Sequence, residues 1–589
     1  MPDKPRFLKL PESTRHFRLM VLSIAVGVIS GLGAILFDEL LQTALKYFLN
    51  FPTGYLEPAK DASKAAILGF SSPYSWLLLI IPALGGLASG LIVYLIAPEA
   101  EGHGTDAMIE AFHQKGGYIR RRVPFVKILA SAITIGSGGS AGKEGPIAQI
   151  GAGFGSFLGS LLKLKPRDRR ILVLAGAAAG IGAIFRAPLG AALFAPEVLY
   201  REMELESEAI LPCVLASIVA YSIFSLLYCR GALFFPGPVD FALPVELLPY
   251  TIFGMVCAGV GYIYIHIFYG ARDFFFKRLP LPKLLRPALG GLLLGLIIFF
   301  YPQVSSTGYG WVQMAMEGKI LWQTMLLLAF LKILATSCTI SSGGSGGVFG
   351  PSVFMGAMLG GAFGFLGQKI APGWVINPSS YVLVGIGGFF AGVAKVPLSS
   401  IIMACEMCAS YTLLVPLMLV SSVSYILLGK TSLYEKQMVS RIASPAHMDV
   451  FARKLLERMQ VSQVVQPRPL VLIRENTPFG ELIKTVTASP GEYFPVVNDR
   501  GKMTGILSIN DIREVLFESS LSNLIVAKDV ATPNVVRVFW HETLKDALDK
   551  MAARQLDQLP VVREEAPDEI VTMISKREII SYYHSRIEV

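Results

Sequence analysis

Charge is what this chain has least of. Asp, Glu, Lys and Arg make up 16% of its 589 residues against 53% hydrophobic ones, and mean hydropathy is +0.55. An ordinary soluble domain, with about a quarter of its residues charged, is thereby excluded. Cysteines number six, and all of them fall in apolar stretches, which excludes a disulfide scaffold. Cys405-x-x-Cys408 has a metal or redox spacing but sits in a hydrophobic helix without matching ligands, so it reads as packing. No nucleophile–base set and no metal constellation stands out, and the chain is read as neither an enzyme nor a metalloprotein. A cleavage pattern of charged, apolar and small residues is also missing before the first long segment, so an uncleaved N-terminus is expected.

What is present is a series of uncharged runs, at 19–37, 65–98, 209–229, 247–271, 287–316, 333–368, 370–394 and 407–429. Most reach the roughly 20 residues a spanning helix needs, and the chain is therefore read as a polytopic α-helical membrane protein. The shorter runs 128–142 and 171–185 fit buried half-helices. Residues 430–589 hold 21 of the 52 basic and 21 of the 43 acidic residues, so the whole net charge of +9 belongs to the membrane part. Lys4, Arg6, Lys9, Arg15 and Arg18 should hold the N-terminus in the cytoplasm. The clusters 115–127, 163–170 and 272–286 read as further positive-inside faces, not as nucleic-acid contacts.

The organising motif occurs twice. Gly136-Ser-Gly-Gly-Ser-Ala-Gly-Lys-Glu-Gly-Pro146 is echoed by Ser341-Ser-Gly-Gly-Ser-Gly-Gly-Val-Phe-Gly-Pro351, with Ser140/Ser345, Gly142/Gly347, Gly145/Gly350 and Pro146/Pro351 all 205 apart. Downstream the offset is 209, giving Pro188/Pro397 and Glu197/Glu406. Halves that carry Gly/Pro-interrupted apolar segments at corresponding positions point to a transporter with an internal inverted repeat and a site at its broken helices. A helix start leaves amide N–H groups without partners and carries partial positive charge, so it attracts anions. Close packing of small residues in lipid is the plainer alternative for the glycines alone. The copies differ where Lys143-Glu144 stands opposite Val348-Phe349. A carboxylate at a helix start in charge-poor sequence is a functional candidate, with helix capping or pairing to Lys143 as the alternative.

Gly142-Lys-Glu-Gly-Pro146 and Gly347-Val-Phe-Gly-Pro351 resemble two signatures of the CLC chloride channel and transporter family, and the resemblance runs from the first apolar segment to about residue 440. It implies that Glu144 gates an anion path, that Val348 and Phe349 amides contact the anion, and that Tyr434 in Thr431-Ser-Leu-Tyr434 donates its hydroxyl to it. The turn Glu101-Gly-His-Gly-Thr-Asp106 resembles the family's Gly-Ser-Gly turn, with His103 in place of serine. His103 and Gly104 are thus candidate anion contacts with altered selectivity. In proton-coupled members two adjacent glutamates end the stretch that here reads Glu197-Val198. Valine carries no proton, so a channel-like mode is expected, with Glu144, Glu197 and Glu202 as a remaining proton path. By family resemblance a homodimer is expected, with chloride as ligand and no required cofactor.

After about residue 461 short strands alternate with charged helices, and the pattern repeats once, with Pro495-Val-Val and Pro560-Val-Val 65 residues apart. This resembles a pair of α/β CBS domains. Such pairs often bind an ATP- or AMP-type nucleotide, and Ser508-x-x-Asp511 and Ser575-x-x-Glu578 are the candidate residues; a plain helix start explains them equally. The expected organisation is a membrane domain at 1–440, a linker helix at 441–460 and CBS modules at 461–520 and 521–589. Placement in the inner membrane with both ends cytoplasmic is expected. The function read from this is voltage- or pH-gated chloride conduction under CBS regulation, with a proton-coupled chloride antiporter as the alternative. A CBS-regulated cation transporter is more distant, since it would need several convergent acids.

Overall fold

The structure, a computed structural model, describes residues 12–58, 76–228, 231–237, 241, 243–447, 456–465, 467–489, 491–516, 524–554 and 556–587. Lys4, Arg6, Lys9 and residues 448–455 of the expected linker helix lie outside these; of that linker's described residues, 456–458 are helical and 441–447 are not. The chain divides into two units, Met1–Ala446 and His447–Val589.

In the first unit, seven helices among the described residues are long and apolar enough to cross a membrane by length and composition. Uncharged runs and helices do not coincide one to one. Run 287–316 holds the helix Arg286–Phe300, a loop, and the short helix Tyr309–Met316. Run 333–368 breaks between Trp322–Ile340 and Phe349–Ile370. In both places a glycine adopts positive φ, Gly308 at 74° and Gly343 at 102°, which turns the chain without a Cβ penalty. The segment 171–185 is buried throughout, as expected, inside a longer helix, Pro166–Phe185.

The two halves fold alike and pack against each other reciprocally. Pro82-Ala-Leu-Gly-Gly-Leu87 and Pro287-Ala-Leu-Gly-Gly-Leu292 are identical and again 205 apart. A Cβ on Gly86 would lie 2.2 Å from the Pro287 carbonyl oxygen, and one on Gly291 would lie 2.1 Å from that of Pro82. Within each half the same device recurs, between Gly151 and Gly176 in the first and between Gly356 and Gly385 in the second, at 2.0–2.2 Å from the facing carbonyls. With lipid as solvent, such backbone approach supplies the packing that apolar side chains alone cannot. Arg186 and Lys395, 209 apart, end corresponding helices in the left-handed conformation, and Pro188 and Pro397 open the next ones, where a missing N–H costs nothing.

The second unit contains two three-stranded sheets. Ile473–Arg474 pairs parallel with Tyr493–Val497, which pairs antiparallel with Met503–Ser508. Val538–Phe539, Gln558–Val562 and Ile570–Ser575 repeat the arrangement, including a register shift at Val561/Val562 that matches the one at Val496/Val497. Each sheet carries two helices, Phe479–Thr487 with Ile509–Leu516 and Leu544–Arg554 with Lys576–Ile587, and each buries its own apolar cluster.

Candidate functional site

The two Gly-rich segments meet. Gly142 N donates to Gly347 O and Gly347 N to Gly142 O, both at 2.7 Å, so one antiparallel bridge joins the starts of the helices Glu144–Leu161 and Phe349–Ile370. The approach is fixed by hydroxyls from the other half. Ser131 Oγ lies 2.9 Å from Ser345 Oγ, Ser140 N donates to Thr339 Oγ1 at 3.1 Å, and Ser345 Oγ donates to Ala100 O. No side chain fits at Gly145, where a Cβ would sit 2.1 Å from His103 O. Two electropositive helix starts are thereby aimed at one buried spot.

Glu144 occupies that spot and is 2% exposed. Its Oε2 accepts from Gly350 N at 3.2 Å, on the opposite repeat, and its Oε1 accepts from the Tyr309 hydroxyl. Lys143 points away to Asp38, at 2.7 Å, so pairing to its sequence neighbour does not explain Glu144. Below the carboxylate lies a chamber of about 10 Å³ lined by Thr105, Glu144, Gly145, Ala148, Ile181, Phe185, Phe194, Phe349, Met403 and Tyr434. It has room for about one water-sized occupant. Phe349 is held by Phe185 and Phe390, with ring centroids 4.5 and 4.1 Å away. Tyr434, 1% exposed, lines the chamber together with Thr105.

Of the predicted residues, Glu144, Phe349 and Tyr434 line this chamber together, and Val348 sits at the helix start beside them, 1% exposed. His103 and Gly104 instead line a cavity of about 880 Å³ on the other side of the turn, among Arg120, Arg272, Lys283, Arg286, Glu101 and Glu435. The His103 ring stands 5.5 Å from that of Tyr434, and its Nε2 is 3.2 Å from Asp106 Oδ2. Thr105, two residues on, lines the chamber. Glu197 and Glu202 are not brought to the chamber. Glu197 accepts from Leu398 N at 2.9 Å and Ser399 N at 2.8 Å, and its repeat mate Glu406 accepts from Leu189 N at 3.2 Å and Gly190 N at 2.7 Å. Each thus caps the first turn of the helix that carries the other. Glu202 is exposed, and Val198 is fully buried.

Two features were missed or misread in the sequence. Tyr309 lies in a run that looks uniformly apolar. Lys127, expected on a positive-inside face, is instead fully buried, as is Lys332, 205 residues on. Lys127 Nζ donates to Ala100 O at 3.0 Å and Gly102 O at 2.6 Å, and Lys332 Nζ donates to Val304 O at 3.0 Å and Ser306 O at 2.9 Å. The pair secures the loops that lead into Thr105–His113 and Tyr309–Met316, and the shared offset was the signal that could have revealed it.

In the second unit Ser508 N and Oγ both lie 2.8 Å from Asp511 Oδ2, and Ser575 N and Oγ lie 3.0 and 2.8 Å from Glu578 Oε2. Both pairs form reciprocal helix caps. Glu578 is also 3.1 Å from Arg468.

Repeats whose broken helices converge on a buried acid, in a chain with many membrane-length helices, define a membrane transport protein of the internal-repeat class. A family model described as voltage gated chloride channel matches residues 85–429, and a CBS domain model matches 461–518 and 527–585. A putative chloride channel protein, ClcB-like, from Ralstonia nicotianae is 31% identical over 412 residues, covering 69% of this chain and 93% of the relative. An H(+)/Cl(-) exchange transporter, ClcA, from Citrobacter koseri is 28% identical over 68% of this chain and 83% of its own length. Among solved structures, a slow cyanobacterial Cl-/H+ antiporter superposes with a TM-score of 0.61 at 23% identity, covering 75% of this chain and 99% of that one. The chain belongs to the CLC family of voltage gated chloride channels and transporters and carries a C-terminal pair of CBS domains.

Proposed function

We propose that this protein passes a chloride-like anion across the membrane through the chamber between Tyr434 and Glu144, with the Glu144 carboxylate as a gate. One observation carries the reading: a buried carboxylate sits where two helix starts of opposite repeats converge, accepting from Gly350 N and Tyr309 at the mouth of a chamber sized for a small solute. The carboxylate is itself an anion in an anion's place, so it must leave or be neutralised before another can pass. Protonation and membrane voltage both bias that step, since the first removes its charge and the second acts on charge that moves across the field. The test is anion efflux from liposomes containing wild type or Glu144→Gln, read against pH.

A channel-like mode follows from buried, apolar Val198. The antiporter mode has its own support in the ClcA similarity, and uphill proton movement driven by an anion gradient in the same liposomes identifies it. A homodimer in the inner membrane, with both ends cytoplasmic, is the arrangement we infer from the family resemblance. Nucleotide regulation through Ser508 and Asp511 in the first CBS module, with Ser575 and Glu578 in the second, belongs to the same reading. It requires each carboxylate to leave its cap.

A further inference from the structure

We propose that Tyr309 is the positioning residue that holds Glu144 in its closed place; this rests on the gate reading above. The Tyr309 hydroxyl donates to Glu144 Oε1 across 165 residues of sequence. A Cβ added at Gly350 would lie 3.0 Å from Glu144 Oε2 and 3.2 Å from the Tyr309 oxygen, so hydroxyl, carboxylate and the opposing helix start form one close contact. The donor cannot drift. Tyr309 opens its helix directly after Gly308, whose φ is 74° and where a Cβ would meet the Phe354 ring at 2.6 Å. The Tyr309 ring packs edge-on against Phe234 at 5.5 Å. Gly310 N donates to Glu57 Oε1 at 3.0 Å, and Trp311 Nε1 to the Tyr55 hydroxyl at 3.0 Å. Lys332 fixes the loop before Tyr309 through two carbonyls.

A rigidly mounted hydroxyl is a selective partner for an ionised carboxylate, which accepts charge-assisted hydrogen bonds more strongly than the neutral acid does. Tyr309 therefore stabilises the closed, ionised gate over both the protonated and the displaced one. The other charged groups around the gate are engaged. Lys143 pairs with Asp38, Lys332 bonds carbonyls, and Glu57 caps the Tyr309 helix.

Tyr309→Phe removes only the donor and keeps the ring on Phe234. Chloride efflux from liposomes is measured for wild type, Tyr309→Phe, Glu144→Gln and the double variant, across pH. We expect Tyr309→Phe to raise efflux at neutral pH roughly tenfold, the factor that corresponds to about 1.4 kcal/mol. Acid activation should begin about one pH unit higher, since one unit is the same energy. In the Glu144→Gln background the tyrosine change should alter efflux less than about twofold. The proposal is overturned if Tyr309→Phe leaves rate and pH profile as in wild type while Glu144→Gln alters both. It is also overturned if Tyr309→Phe has equal effect in both backgrounds, because it then acts on the passage and not through Glu144. If Glu144→Gln itself changes nothing, the gate reading fails first.

Discussion

Replacing Glu197 by alanine should destabilise the membrane unit more than any change at Glu202. In the structure both Glu197 oxygens are used, by Leu398 N and Ser399 N, and Ser399 is fully buried. These amides belong to the first turn of Pro397–Cys408, where no backbone carbonyl can replace the lost acceptor. A buried donor left without a partner costs about 1–3 kcal/mol. Leu398 is 40% exposed, so its amide reaches other partners more readily. The pair together should cost about 2–4 kcal/mol. Glu406→Ala removes the mirror-related clamp on Leu189 N and Gly190 N and should cost a similar or slightly smaller amount, since Leu189 is exposed. Glu202→Ala, at an exposed position, should stay within about 0.5 kcal/mol of wild type. Thermal unfolding of the purified proteins in detergent, followed by loss of the monodisperse species, ranks the three. If Glu197→Ala melts with Glu202→Ala while proton movement in liposomes is lost, Glu197 is a proton carrier and the clamp reasoning is wrong.

Two further outcomes follow from contacts elsewhere in the molecule. Gly291→Val puts a branched side chain into a site where even a Cβ lies 2.1 Å from the Pro82 carbonyl oxygen, so this variant should fail to yield a folded monodisperse protein, as judged by size-exclusion profiles after extraction. In the second unit the hydrogen bond from Thr543 holds the Asp546 carboxyl below its ordinary range. A carboxyl depressed in the folded state contributes stability above its unfolded pKa and loses that contribution as pH falls through the folded one. Thr543→Val, which removes this contact together with the helix cap, should therefore cost about 1 kcal/mol near pH 7 and a smaller amount as pH falls below about 3.9, as read from denaturant midpoints across that range.

Much of the architecture was legible because membrane sequences carry strong signals. Uncharged runs located most long helices, and the 205-residue echo identified the two segments that the Gly142–Gly347 bridge joins. The alternation at 470–584 matched both small sheets closely, since each strand there is short, β-branched and bounded by turns. One glycine break was harder to see, because loops in this environment are as apolar as the helices they separate: run 287–316 conceals the turn at Gly308, whereas the break in 333–368 falls on the second Gly-rich copy. Side-chain roles were legible only where a position stood out chemically. Glu144 did so as an acid in apolar sequence. Tyr309 did not, since an aromatic residue in a hydrophobic run reads as packing, and its partner is 165 residues away. Glu197 and Glu406 were visible as a repeat pair, but their exchange of helix caps depends on how the halves face each other, and that is decided by tertiary packing. The His103 side chain lies on the larger cavity and that of Thr105 on the chamber, a division set by a turn whose glycines at 102 and 104 are both at positive φ.

The central claim is that an ionised Glu144 blocks a site built for an anion. Simultaneous recording of chloride efflux and internal pH from liposomes, with wild type and Glu144→Gln compared over about three units upward from the ordinary glutamate value, roughly pH 4.5 to 7.5, tests it directly. Wild-type efflux should rise as pH falls, whereas Glu144→Gln should be fast at every pH and without that dependence. Efflux by Glu144→Gln that matches wild type in rate and in pH profile would contradict it.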